Sequence, residues 1–154
     1  MQSALVSPKR SIPFFSGVVL AIGTWILFDA FYYHQHHKLY PPITPKYYVP
    51  GIISFLGFVF MLFVPVNQLQ IDYLDMDNQS ASCTRICMFL TFVILLGGIT
   101  STGAFYSEFV DVHINNIPVS NADPWPLIAI FIHTFCILLS ALLCIVGRTQ
   151  DAEI

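Results

Sequence analysis

Four apolar stretches of bilayer-crossing length take up most of this chain: residues 12–33, 49–69, 86–106 and 125–146. A hydrocarbon core of about 30 Å needs about 20 helical residues at about 1.5 Å each. Within the four stretches the only Asp, Glu, Lys or Arg is Asp29, while Arg85, Glu108 and Arg148 stand at their edges. A soluble chain of 154 residues needs a charged surface, yet charged residues make up 10% of this one. Mean hydropathy is +0.71. The expected fold is an all-α integral membrane protein: one domain over 1–154, four transmembrane helices in a compact bundle, short loops, and both termini on the same side.

The remaining segments, near 34–48, 70–84 and 108–124, are too short for a separate soluble domain. A net charge of −3 provides no basic patch for nucleic acid. The first span is too long for a signal-peptide core and is expected to act as an uncleaved anchor. Lys9, Arg10, Arg85 and Arg148 fall on one side of the membrane, and Lys38 and Lys46 on the other. That bias places the termini and the 70–84 loop in the cytosol. The sequon at Asn78 then lies on the cytosolic side and is expected to stay unused.

Helices in lipid gain little from apolar burial against one another, so small residues that let backbones approach carry much of their association. Gly17 and Gly23 in the first span, Gly51, Ser54 and Gly57 in the second, and Gly97, Gly98 and Ser101 in the third are the expected packing positions. A pore lining is the competing use of the same residues. Pro65 should end or kink the second helix, because it removes a backbone donor. Tyr32, Tyr33, Tyr40, Tyr47, Tyr48, Tyr106 and Trp125 gather near one interface as an aromatic belt. Trp25 lies deeper and calls for a partner to its indole N–H.

Chemistry-bearing residues are few. Asp29 nears the far interface, where it serves either function or a hydrogen bond that fixes the helix end, with Lys38 one available partner. His133, beside Thr134, fits an interhelical hydrogen bond or one step of a proton path; Asp29, His133 and Thr134 could form a polar network. His34, His36, His37 and His113 suit a solvated loop, a pH sensor or, with a further ligand, a metal. Cys83 and Cys87 are candidates for palmitoylation, and CxxxC alone is a weak metal signal. No nucleophile–base pair, HExxH motif or phosphate loop is present, so neither an enzyme nor a cofactor or metal is expected.

The run from Gly17 to Ala30, with Gly23, Trp25, Ile26 and Asp29, resembles the first-span signature of the transmembrane protein 50 family, which includes the fungal vacuolar protein sorting 68 proteins. The run Gly147-Arg148-Thr149-Gln150-Asp151 resembles that family's C-terminal Gly-Arg-Thr-Glu-Asp. Pro50-Gly51, Asn67, Arg85-Ile86 and Gly97-Gly98 match in order between them. The chain departs from the pattern in lacking a Cys-containing N-terminal segment, in His133-Thr134 and Phe63 where amide residues are expected, and in Gln150 before Asp151. The resemblance implies a four-span protein of the endoplasmic reticulum, Golgi or endosomes. It implies a non-catalytic adaptor in protein sorting whose partner is another integral membrane protein, such as a four-span subunit of the vacuolar protein sorting 55 (endospanin) family. A small channel or proton-coupled transporter using the intramembrane polar residues is the alternative.

Overall fold

The computed structural model describes residues 8–37, 45–64, 79–111 and 124–151. Its elements are α1 (Pro8–His37), a 3₁₀ turn (Pro45–Tyr48), α2 (Val49–Phe63), α3 (Gln79–Phe109) and α4 (Trp125–Asp151). Each of four segments is long and apolar enough to cross a membrane: Ile12–His36, Pro45–Phe63, Ser82–Phe109 and Trp125–Arg148. Asn67, Asn78, His113, Lys38, Pro65 and most of the 70–84 and 108–124 loops lie outside the described residues.

The helix ends follow local chemistry rather than hydropathy. α3 begins at Gln79, seven residues before the apolar run, because polar residues outside the hydrocarbon continue a helix readily. α2 stops at Phe63 rather than at residue 69. Val64 is extended at φ −71° and ψ 123°, the conformation favoured just before a proline such as Pro65. Fifteen residues then give α2 only about 22 Å of length. The preceding four-residue 3₁₀ turn adds about 8 Å, which brings the segment to bilayer thickness.

α4 is the hub. It packs against α1, α2 and α3, and α2 and α3 pack against each other, whereas α1 packs along α4 and along neither of the other two. Its buried positions show why. In α4 three rows at seven-residue spacing are buried: Pro126, His133, Ser140 and Gly147; Leu127, Thr134 and Ala141; Ile130, Ile137 and Cys144. In α1 a single row is buried, Ser16, Gly23 and Ala30. A seven-residue repeat keeps a seam in register between helices crossing at a shallow angle.

Two apolar clusters fill the interior. Phe58, Met61, Leu95, Ile137, Ala141 and Cys144 form one. Tyr47, Phe109, Leu127 and Ile130 form the other, with Tyr47 edge-on to Phe105 and Phe109 at centroid distances of 5.6 and 6.5 Å. Outside them, Lys46 pairs with Glu108 at 3.0 Å on an exposed surface, a contact that contributes little to stability.

Candidate functional site

The outward side of α1 carries an unusual set of residues for a lipid-facing surface. Trp25 and Asp29, one turn apart, share a face. With Phe28, Phe31, Tyr32 and Gln35 they line a shallow cavity of about 390 Å³. Trp25 is 76% exposed, so its ring stands outward from the bundle. The seam of Ser16, Gly23 and Ala30 faces α4 and leaves Trp25 on another side of the helix. Asp29 is exposed and, among the described residues, its carboxylate has no hydrogen bond or ion pair. It lies seven residues from the end of the span at His36, or about 10 Å inside it by helical rise. His36 stacks on Tyr32 at 4.0 Å, its Nδ1 3.1 Å from the Tyr32 carbonyl oxygen. His34 occupies the same final turn of α1.

His133 lines a second cavity, which shares Phe28 and Phe31 of α1 with the first. A cleft of about 430 Å³ separates α1 from α2, and His133 of α4 forms its floor beside Thr24, Leu27 and Gly51. The ring is 4% exposed, and its Nδ1 has no hydrogen-bond partner in the chain. Gly51 lies beside the ring, where a Cβ would make ordinary contact with His133 Cδ2 at 3.4 Å. Thr134 donates to the carbonyl of Phe131 in its own helix at 2.9 Å. The expected network of Asp29, His133 and Thr134 therefore does not form: Asp29 and His133 line different cavities, and Thr134 is satisfied locally.

The small residues divide by face. Gly98 faces α2, where a Cβ would collide with Ser54 Oγ. Gly57 meets Ile94, Gly23 meets Cys136 and Gly147 meets Pro13, each with a would-be Cβ under 3.0 Å from a side-chain atom. Gly17 and Gly97 differ from the expectation: both are exposed, and nothing lies within 4 Å of a Cβ built on either. Each is one residue, about 100° of helix rotation, away from a buried neighbour, Ser16 or Gly98. Ser101 is half-buried and donates to the Gly98 carbonyl at 3.0 Å; Thr102, buried one position on, continues the seam toward α2. α1 and α4 are further joined by two serines. Ser16 Oγ donates to the Ser140 carbonyl at 2.8 Å, and Ser140 Oγ donates to the Ser16 carbonyl at 2.9 Å.

Arg148 has a role that sequence reasoning missed. Its guanidinium donates to the carbonyls of Met61 at 3.3 Å, Leu62 at 3.4 Å and Val64 at 2.7 Å. These carbonyls stand at the end of α2, where the Met61 oxygen also accepts the Val64 N–H at 3.2 Å, and a cation there opposes the negative end of the helix dipole. With Gly147 against Pro13, the Gly-Arg pair fastens the end of α4 to the start of α1 and the end of α2. Thr149 follows within the helix; its side chain lies outside the described residues. The one clue in the sequence was a lone Arg after an apolar span, paired with a Pro that frees carbonyls elsewhere. Cys83 and Cys87 are exposed, one turn apart at the start of the third span. Among the described residues no three His, Cys, Asp or Glu side chains converge as metal ligands.

Four antiparallel apolar helices, closed at one end by Arg148 and Gly147, define a small four-span helical membrane protein. Residues 6–153 match the family model described as Uncharacterised protein family (UPF0220). The chain is also 30% identical over 150 residues to Transmembrane protein 50 homolog of Dictyostelium discoideum, an alignment covering 94% of each. No solved structure matches. The chain belongs to the transmembrane protein 50 (UPF0220) family.

Proposed function

We propose that this protein is a non-catalytic subunit of a larger membrane assembly, acting as an adaptor in protein sorting within the endoplasmic reticulum, Golgi and endosome system. The observation that carries this reading is the outward face of α1. A carboxylate about 10 Å inside a span and unpaired among the described residues is costly against lipid. Cover by another transmembrane helix that donates hydrogen bonds or a positive charge removes that cost. Trp25 beside it supplies an apolar, hydrogen-bonding anchor of the kind that concentrates binding energy at interfaces. A four-span partner of the vacuolar protein sorting 55 (endospanin) type is the first choice on family resemblance. In this reading the termini face the cytosol on the Lys and Arg bias, and Cys83 and Cys87 lie on that side, open to palmitoylation.

The test is recovery of the full chain in mild detergent, with native mass spectrometry of what accompanies it. A second polytopic membrane protein in fixed stoichiometry is expected. It should stay bound to Asp29→Asn, which keeps a hydrogen-bond acceptor, and be lost from Asp29→Leu, which leaves the partner's donors unpaired. A chain that purifies alone and conducts ions or protons in liposomes would overturn the adaptor reading in favour of transport. Equal partner recovery with both Asp29 variants would remove Asp29 from the interface.

A further inference from the structure

On the outward side of α1, Val18, Ile22, Trp25, Asp29, Tyr32 and His36 follow one another at alternating spacings of four and three, and all are exposed. Each residue turns a helix by about 100°, so this row runs about 130° round from the buried seam of Ser16, Gly23 and Ala30. Such spacing offers one continuous edge to a second helix crossing at a shallow angle. Lipid asks only that the row be apolar, yet its outer half holds an indole, a carboxylate, a phenol and an imidazole. The cavity of about 390 Å³ around Trp25 and Asp29 is lined by residues of α1 alone. It is a groove without a facing wall, which suits an elongated neighbour better than an enclosed small molecule.

Charge specifies the neighbour. Asp29 lies about 10 Å inside the span, where a carboxylate calls for a cation. The described cations of this chain are engaged or remote. Lys46 pairs with Glu108 at 3.0 Å, and Arg148 holds the carbonyls of α2. Lys9 and Arg10 lie at the other end of α1, and Arg85 lies near the start of α3. A second copy does not supply the charge through the same row: a two-fold axis along the membrane normal joins residues of equal depth and sets Asp29 against Asp29. Trp25, Phe28 and Tyr32 beside the carboxylate are the ring types over which ammonium and guanidinium groups settle. A long basic side chain buries its stem on apolar surface while its head reaches toward the interface. Its own helix therefore anchors it level with Trp25, one turn deeper than Asp29.

Resting on the subunit reading above, we propose that the outward row of α1 docks a transmembrane helix of a different protein carrying one lysine or arginine, whose stem crosses Trp25 and whose charge pairs with the Asp29 carboxylate. A helix offering only neutral donors binds the same groove more weakly, because charge-assisted hydrogen bonds are the stronger kind. Preference for a basic over a neutral helix is therefore a property of the row itself.

The full chain, carrying a fluorescent donor in phosphatidylcholine liposomes, is titrated with acceptor-labelled polyleucine transmembrane peptides that bear one Arg, Gln or Leu level with Trp25. The Arg peptide should associate about tenfold more tightly than the Gln peptide, the difference between a charged and a neutral hydrogen bond. Asp29→Asn, at an exposed position where folding is not at stake, should erase that margin and leave binding of the Gln peptide unchanged; its amide still accepts, so a native complex survives in weakened form. Asp29→Arg should prefer a Glu peptide instead, and Lys38→Gln should leave the margin as it is. Equal binding of the Arg and Gln peptides, or a margin that survives Asp29→Asn, overturns the proposal. A margin that emerges only in Lys38→Gln also overturns it, since Lys38 then holds Asp29 within the chain. Energy transfer between two labelled copies that Trp25→Ala abolishes would give the row to a second copy, with the same consequence. The subunit reading is decided separately, by the partner recovered in mild detergent: a stoichiometric partner with no basic residue in its spans refutes the basic helix and leaves that reading standing.

Discussion

α1 and the α2–α3–α4 unit solve the same packing problem in different ways. In the three-helix unit, small residues on facing helices interlock at Gly57 with Ile94 and at Gly98 with Ser54, and α4 is buried along three rows. Of its span, 39% of the most apolar window is buried; for α1 the share is 17%. α1 is attached through one buried seam, Ser16, Gly23 and Ala30, flanked by Leu20 and Leu27 against the two apolar clusters, plus the contact between Pro13 and Gly147. A narrow seam leaves most of a helix's circumference free. The feature proposed to meet another protein, the Trp25–Asp29 face, lies on that free circumference. The lesson is that a helix held by few small residues can be firmly placed and still present most of itself outward.

The largest effect expected within the three-helix unit is at Gly98. Gly98→Leu drives a side chain into Ser54 on α2 and should destabilise the bundle by about 3 kcal/mol, the upper end of ordinary overpacking. Gly97→Leu points where no atom lies within 4 Å and should change stability by no more than about 0.5 kcal/mol. Reversible unfolding in mixed micelles measures both, and equal effects would erase the contrast between a packed and a free face. Gly23→Leu sharpens it further. Its Cβ meets Cys136 Cβ at 2.6 Å, so the variant should detach α1, exposing its backbone to protease while α2–α3–α4 stays protected. Global unfolding of that variant would show that α1 is integral to the core after all.

Arg148 comes next, as the clasp that joins the two regions. Arg148→Met leaves three carbonyls of α2 without their charged donor and should cost about 1.5–3 kcal/mol. Arg148→Lys keeps the charge without the fork and should recover only part of that loss. The same unfolding assay applies, and a neutral Arg148→Met would mean that water serves those carbonyls equally well. A smaller effect is expected on the seam itself. Ser16→Ala removes the bond to the Ser140 carbonyl and should cost about 0.6 kcal/mol, the average for interhelical hydrogen bonds in a membrane bundle, and no more than about 1.7 kcal/mol.

Span number and the early stop of α2 are legible in the sequence because hydropathy and proline act locally, within a few residues. The face of each helix is not. Inside a bilayer both the lipid side and the protein side of a helix are apolar, so a Gly-Gly pair gives no sign of which glycine turns inward. The seven-residue repeat of Ser16, Gly23 and Ala30 was present in the sequence, yet Gly17 is as small as Ser16 and equally plausible as a contact. Trp25 and Asp29 read as a shared face from their spacing, while the direction of that face depends on where α4 lies. Arg148 reads as a topological charge, and its real contacts require the ends of α2 and α4 to stand side by side. The pairing of His133 with a cleft is likewise a product of α1 packing along α4 rather than along α2.

The smallest predicted effect tests the comparison at its finest grain. Ser54 is fully buried in α2, its Oγ lacks a partner and it faces Gly98 of α3. Ser16 is buried in α1, and its hydroxyl bonds across to α4. Two serines at helix seams should thus respond oppositely to the same change. Ser54→Ala removes an unsatisfied hydroxyl while keeping the Cβ that packs, so it should be neutral or stabilise by up to about 1 kcal/mol. If Ser54→Ala instead weakens the bundle as much as Ser16→Ala does, the hydroxyl has a partner across the α2–α3 contact. That contact would then be held by polar bonding, as the α1–α4 seam is, and not by the fit of a glycine alone.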